Sequence, residues 1–162
     1  MAGRIRLLIV DDEVKLLDSI SRRLEMRDFD VTKASNGQEA LDAAREATFD
    51  VALLDLKMPG LNGQAVLEIL KKEHKYLEVI ILTGHGSVDS AVECTKLGAF
   101  DYLPKPYKLE ELIEVLRRAY EARLRKKFES DQARMDKITE LASTESALGI
   151  LRELRKLDDE EK

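Results

Sequence analysis

Five side chains in this sequence are of types that could do chemistry together: the carboxylates Asp11, Asp12 and Asp55, the hydroxyl of Thr83 and the ammonium of Lys105. Asp55 ends the run Phe49-Asp50-Val51-Ala52-Leu53-Leu54-Asp55, and Leu56-Lys57-Met58-Pro59-Gly60 follows directly. An apolar run of this length, bounded by a Pro-Gly turn signal, reads as a strand buried on both faces. A carboxylate at its last position lies at the strand's C-terminal edge, where open α/β sheets place their ligands. Asp11 and Asp12 close the apolar run Leu7-Leu8-Ile9-Val10, Thr83 closes Val79-Ile80-Ile81-Leu82, and Lys105 follows Asp101-Tyr102-Leu103. Carboxylates gathered on one edge repel and raise one another's pKa unless a cation sits among them. Hard oxygen ligands at an open edge favour Mg²⁺, which keeps several waters and uses few protein carboxylates. Beside such an ion a carboxylate can act as a nucleophile and form an acyl phosphate. The ion, Lys105 and Thr83 can share the charge of the transferring oxygens.

The intervening segments must position these groups. Val14, Leu17, Ile20 and Leu24 recur at spacings of three and four, the mark of an amphipathic helix. Val31-Thr32-Lys33-Ala34 is a modest strand, and Asn36-Gly37 turns into a helix with Ala40, Leu41, Ala44 and Ala47 on its apolar face. Gly63 leads into a helix that buries Val66, Leu67, Ile69 and Leu70. Ser87 is the expected cap of a helix from Val88 that stops at Gly98, and a fifth helix begins near Leu109 and continues through Lys126. Five strands alternating with five helices give a doubly wound parallel sheet with helices on both faces, because parallel strands need crossover connections. In the order 2-1-3-4-5 the first and third strands are neighbours, which brings Asp11, Asp12 and Asp55 together.

Beyond about Tyr120 the composition is helix-forming, with no proline and a single glycine, Gly149. The expected division is a first domain over residues 1–122 and a helical extension over 123–162. Leu124, Phe128, Met135, Ile138 and Ala142 approximate a heptad seam, although Asp131 and Glu145 fall on core positions. Ser143-Thr144 is the expected break between two tail helices, and Asp158-Asp159-Glu160-Glu161-Lys162 is read as a frayed end.

Composition narrows the function. With 162 residues and 44% hydrophobic content the chain can bury a real core. A net charge of -5 argues against a basic nucleic-acid footprint. Arg117-Arg118 and Arg123 to Lys127 are better read as a solvated helix face, with Glu114 and Glu121 four residues before Arg118 and Arg125. The lone Cys94 excludes an internal disulfide and reads as a packed residue. No stretch is apolar enough to span a bilayer and the start is not a signal peptide, so the expected location is cytoplasmic, with no membrane partner. His74 is read as solvent-facing, and His85 either as a loop residue or as a group that tunes the site beside Thr83.

Asp11-Asp12, Asp55 with Pro59 and Gly63 at their offsets, Thr83-Gly84, and Tyr102-Leu103-Pro104-Lys105-Pro106 occur in order. Over roughly residues 4–122 the sequence resembles the receiver domains of bacterial two-component response regulators. The resemblance implies that Asp55 is the phosphoacceptor. It implies that Asp12, Asp55 and the carbonyl of Lys57 bind Mg²⁺, with Asp11 acting mainly through a water on the ion. Lys105 would pair with the phosphoryl group and precede a cis bond to Pro106. Thr83 would close on the phosphoryl group while the Tyr102 ring turns inward. Lys108 departs from the acidic or polar cap usual before the fifth helix.

The expected function is a phosphoacceptor switch and not a classical enzyme. It takes its phosphoryl group from a sensor histidine kinase or phosphotransfer protein and hydrolyses it slowly. Output is expected through a downstream protein target and a homodimer, in a single-domain regulator whose tail is a coiled-coil or partner-docking segment. The alternative is the receiver and linker of a DNA-binding transcriptional regulator. A metal-dependent phosphatase is a weaker reading, because no pocket for a substrate body is evident.

Overall fold

The computed structural model describes residues 3–58, 60, 62–84, 88–143 and 146–159, with backbone alone at 83 and 88–91. Strands and helices alternate: β1 Ile5–Val10, α1 Val14–Glu25, β2 Phe29–Ala34, α2 Gly37–Glu46, β3 Val51–Asp55, α3 Gly63–Glu73, β4 Glu78–Thr83, α4 Val88–Lys96, β5 Asp101–Pro104 and α5 Leu109–Lys127. Two further helices follow, α6 Gln132–Leu141 and α7 Ala147–Asp159. The five strands are parallel and ordered β2-β1-β3-β4-β5, as the alternation predicts.

Period-two alternation along the strands divides the core into two layers. Leu7, Ile9, Val51, Leu53, Ile80 and Leu82 face α1 and α5, while Leu8, Val10, Ala52, Leu54, Val79 and Ile81 face the α2 and α3 side with Cys94. Leu17, Ile20 and Leu24 of α1 are buried as the spacing requires, but Val14 is 55% exposed. Ala47 is the exposed C-cap of α2 and not part of its buried face, and Ile69 is only half-buried. The proposed cap Ser87 lies outside the described residues, as do Pro59 and His85. Gly98 has φ +104°, a left-handed conformation that lets the chain leave α4 for β5. Lys108 offers no side-chain cap; instead the Glu111 carboxylate accepts from the Lys108 backbone N–H at 3.3 Å and closes the first turn of α5.

The tail departs furthest from expectation. Helix α5 stops at Lys127, and Asp131 does not interrupt a seam: it is the N-cap of α6, accepting from Arg134 N–H at 3.1 Å. Leu124, Phe128 and Ile138 are buried within this chain, against Ile150, Leu151, Leu154 and Leu157 of α7. Ser146 caps α7 by accepting from Gly149 N–H at 3.2 Å, whereas the Ser143 hydroxyl donates back to the Glu140 carbonyl and Thr144 lies outside the described residues. Asp158 and Asp159 are not frayed: Asp158 is 3% exposed and Asp159 accepts from Gly3 N–H. Glu145, Glu160, Glu161 and Lys162 lie outside the described residues. Among those described, no helix is long and apolar enough to cross a membrane.

The basic stripe is only partly a solvated face. Glu114 pairs with Arg117 and not Arg118, Arg118 reaches Asp101, and Arg123 is buried against Asp50 and the Tyr76 carbonyl. His74 is half-buried with its Nε2 buried and unbonded, not solvent-facing, because it closes α3 where the chain turns inward to β4.

Candidate functional site

Register brings the acids together. Val10 lies opposite Leu54 across β1 and β3, so Asp11 and Asp55, each one residue further, emerge side by side at the C-terminal edge. Both strand ends then make the same turn. The Asp11 Oδ1 accepts from Glu13 N–H at 3.0 Å, and the Asp55 Oδ1 accepts from Lys57 N–H at 3.1 Å. These local bonds aim each carboxylate along the edge. Asp11 and Asp55 are 1% and 4% exposed, while Asp12 is open to solvent.

Oxygen atoms of Asp11, Asp12 and Asp55 all lie within 4.8 Å of one another. Lys105 enters from the loop after β5, where its peptide bond to Pro106 is cis. Its Nζ stands 2.8 Å from Asp11, 3.5 Å from Asp55 and 3.6 Å from Glu13. One ammonium thus faces three carboxylates. Burial pushes the Asp55 carboxyl above its usual range, and Asp11 adds to the rise; the Lys57 N–H and Lys105 act against it. Burial pulls the Lys105 ammonium down, but the bond to Asp11 and the charges of Asp11, Asp55 and Glu13 outweigh this and hold it above its ordinary value. Three hard-oxygen donors with an excess of negative charge suit a divalent cation, so the residues fit Mg²⁺.

Thr83 ends β4 on the same edge, its backbone in register with Pro104. Tyr102, on β5, is 42% exposed, so its ring stands outward in this structure. Gly63 proves to be a packing residue. A Cβ there would lie 2.8 Å from the Leu56 Cα, and only glycine lets α3 begin against the residue that follows Asp55. Asn62, not singled out from sequence, caps α3 by accepting from Gln64 and Ala65 N–H. Glu13 was also missed, although it simply extends the run of acids begun at Asp11. Tyr107, half-buried beside the site, has its phenol pushed up by burial.

Residues 7–117 match the family described as response regulator receiver domain. The chain is 40% identical over 111 residues to the DNA-binding transcriptional regulator NtrC of Escherichia coli K12, covering 68% of this chain and 24% of that one. It therefore spans about a quarter of that relative's length. A receiver domain protein from Clostridium thermocellum is 38% identical with a TM-score of 0.70, covering 76% of this chain and 98% of its own. NtrX from Brucella abortus is 34% identical with a TM-score of 0.76, covering 80% of this chain and 30% of its own. By sequence, sheet order and the acidic edge, the chain belongs to the response regulator receiver domain family.

Proposed function

We propose that Asp55 accepts a phosphoryl group from a phosphohistidine of a sensor kinase or phosphotransfer protein, and that the receiver then changes its associations. The observation that carries this is a nearly buried carboxylate facing one ammonium and three other acids at an open sheet edge. An Asp55 oxygen forms the new bond to phosphorus, the bond from phosphorus to the donor imidazole breaks, and the imidazole takes up a proton. Asp11, Asp12, Asp55 and the Lys57 carbonyl would hold Mg²⁺, which supplies positive charge against the phosphoryl oxygens. Lys105 leaves Asp11 for the phosphoryl group, and the Thr83 hydroxyl closes on it. The Tyr102 ring then turns inward. Phosphorylation adds about -1.5 to -2 charges and three acceptors, enough to bias such a two-state element.

The association surface in this reading is the face of α4, β5 and α5, where Val92 and Tyr102 are 50% and 42% exposed. A second copy of the chain or a downstream protein docks there, in the cytoplasm. The tail seam is a poorer candidate because its apolar residues are buried within the chain. Phosphoryl transfer is tested by labelling with acetyl phosphate and Mg²⁺; labelling of Asp55→Asn at the wild-type rate refutes it. Light scattering with and without beryllofluoride tests association, and an unchanged mass removes the homodimer.

The NtrC relative is a DNA-binding transcriptional regulator, which favours a second reading: the same switch serving a DNA-binding protein. The genomic reading frame around this sequence distinguishes the two.

A further inference from the structure

The sheet edge opposite Asp55 carries a second charged cluster, which the phosphoacceptor reading does not use. Asp50, immediately before β3, is fully buried. Its carboxylate accepts from the Arg6 backbone N–H and guanidinium, both at 2.9 Å, and faces Arg123 at 3.2 Å and Arg155 at 3.5 Å. Asp158 accepts from the Tyr120 hydroxyl at 2.8 Å and from Lys127 at 2.6 Å, and pairs with Arg155 at 3.3 Å. Arg155 and Asp158 belong to α7; their partners Asp50, Tyr120 and Lys127 stand just before β3 and on α5. Beside them, Leu151, Leu154 and Leu157 pack into the same core as Leu124 and Phe128.

We propose that the foot of β1, β3 and α5 is a docking groove for an amphipathic helix with an acidic C-terminal end, and that α7 occupies it in cis as a detachable ligand. Four observations support this. The Clostridium thermocellum receiver is matched over 98% of its own chain yet covers 76% of this one, so about a quarter of this chain lies outside what that receiver needs for the same fold. Helix α7, with 13 residues, is too short to be stable alone. Asp158 and Asp159 at its C-terminal end oppose the helix dipole, and Lys127, Tyr120 and Gly3 offset them only when α7 is docked. Finally, the Nε atoms of Arg123 and Arg155 are buried without a hydrogen-bond partner. A buried ionic cluster that is incompletely bonded adds little net stability but strongly disfavours a mismatched occupant. Such a groove selects its helix more than it holds it.

The test uses the full chain with a specific protease site placed between Ser143 and Ser146. After cleavage, gel filtration follows the retained fragment and fluorescence anisotropy follows a labelled synthetic peptide of residues 146–162. The nicked protein exchanges its fragment for the labelled peptide while circular dichroism stays native. Competing peptides with Arg155→Ala or Asp158→Asn are weaker on the order of tenfold to a hundredfold. A peptide with Arg152→Ala, at an exposed position, competes like the parent. Exchange that occurs only when the whole chain unfolds, or equal competition by all the peptides, overturns the proposal. Because the substitutions lie in the peptide, folding of the receiver does not confound the result.

Discussion

Replacing Asp55 by Asn separates charge from shape at the proposed phosphoacceptor, and its effect on stability can be worked from the site. At an effective dielectric of about 20, the Lys105 ammonium at 3.5 Å attracts the Asp55 charge by roughly 5 kcal/mol. Asp11, with its oxygen within 4.8 Å, repels it by at least about 3.5 kcal/mol on the same scale. The two largely cancel, and what remains is the cost of drying a carboxylate that is 4% exposed. The Asp55 carboxyl is accordingly raised from its ordinary value of 3.8, chiefly by burial. For an acid raised in the folded state, stability is full below the unfolded pKa and falls as pH rises through the folded pKa. At neutral pH and without metal, Asp55→Asn is therefore more stable than the parent. It also lacks that part of the stability loss between pH 3.8 and the raised value. Mg²⁺ reverses the ranking. At a hundredfold excess over its dissociation constant it stabilises the parent by about 2.7 kcal/mol, while the variant, short of one ligand charge, gains much less. Urea denaturation in chelator and in Mg²⁺, across pH, measures all of this. A variant less stable than the parent in chelator, or stabilised equally by Mg²⁺, refutes the charge balance assigned to the site.

Three other substitutions probe the surroundings. Lys105→Ala accepts phosphate from acetyl phosphate more slowly, by tenfold or more on the order of one lost charged contact, and fails to change association; beryllofluoride-dependent light scattering identical to the parent contradicts the role given to Lys105. Asp50→Asn leaves the buried guanidinium groups of Arg123 and Arg155, and the half-buried one of Arg6, short of one charge and costs about 3–5 kcal/mol in urea denaturation, and a loss below about 1 kcal/mol removes the cluster from the stability account. Gly63→Ala forces a Cβ to within 2.8 Å of the Leu56 Cα and costs about 1–3 kcal/mol, with slower labelling of Asp55; an unchanged urea midpoint means that α3 shifts freely.

The sheet and its acidic edge were legible in the sequence for one reason. Strand ends in a parallel sheet are marked by apolar runs that stop abruptly, and Val10-Asp11 and Leu54-Asp55 stop at a charge. The roles of individual acids within such runs were harder to read. Asp50 appeared as an unremarked member of the run before Asp55, because its partners Arg123 and Arg155 lie 73 and 105 residues away and no local pattern announces them. The tail was misread for the same reason. Leu124, Phe128 and Ile138 carry a helical spacing, but spacing does not say whether the facing helix belongs to a second copy or to residues 147–159 of the same chain. Asp131, which looked like a flaw in a seam, was the one local signal that the helix ends there.

The two ends of β3 show why one buried aspartate invites a ligand and another does not. Asp55 and Asp50 are both almost fully buried. Among the described residues, Asp11, Asp12 and Glu13 stand around Asp55 against the cation Lys105, so the edge is short of positive charge and attracts whatever supplies it. Around Asp50 stand Arg6, Arg123 and Arg155, and Lys127 beyond them satisfies Asp158, so the charge is balanced from within the chain. Phosphoryl transfer at the first end needs groups that can change partners, and Lys105 has three acids to choose among. Docking at the second end needs a fixed template, and three guanidinium groups converging on one carboxylate provide it. The same strand thus presents a site open to chemistry at one edge and a site selective for a helix at the other, and the balance of charge around two aspartates five residues apart sets the difference.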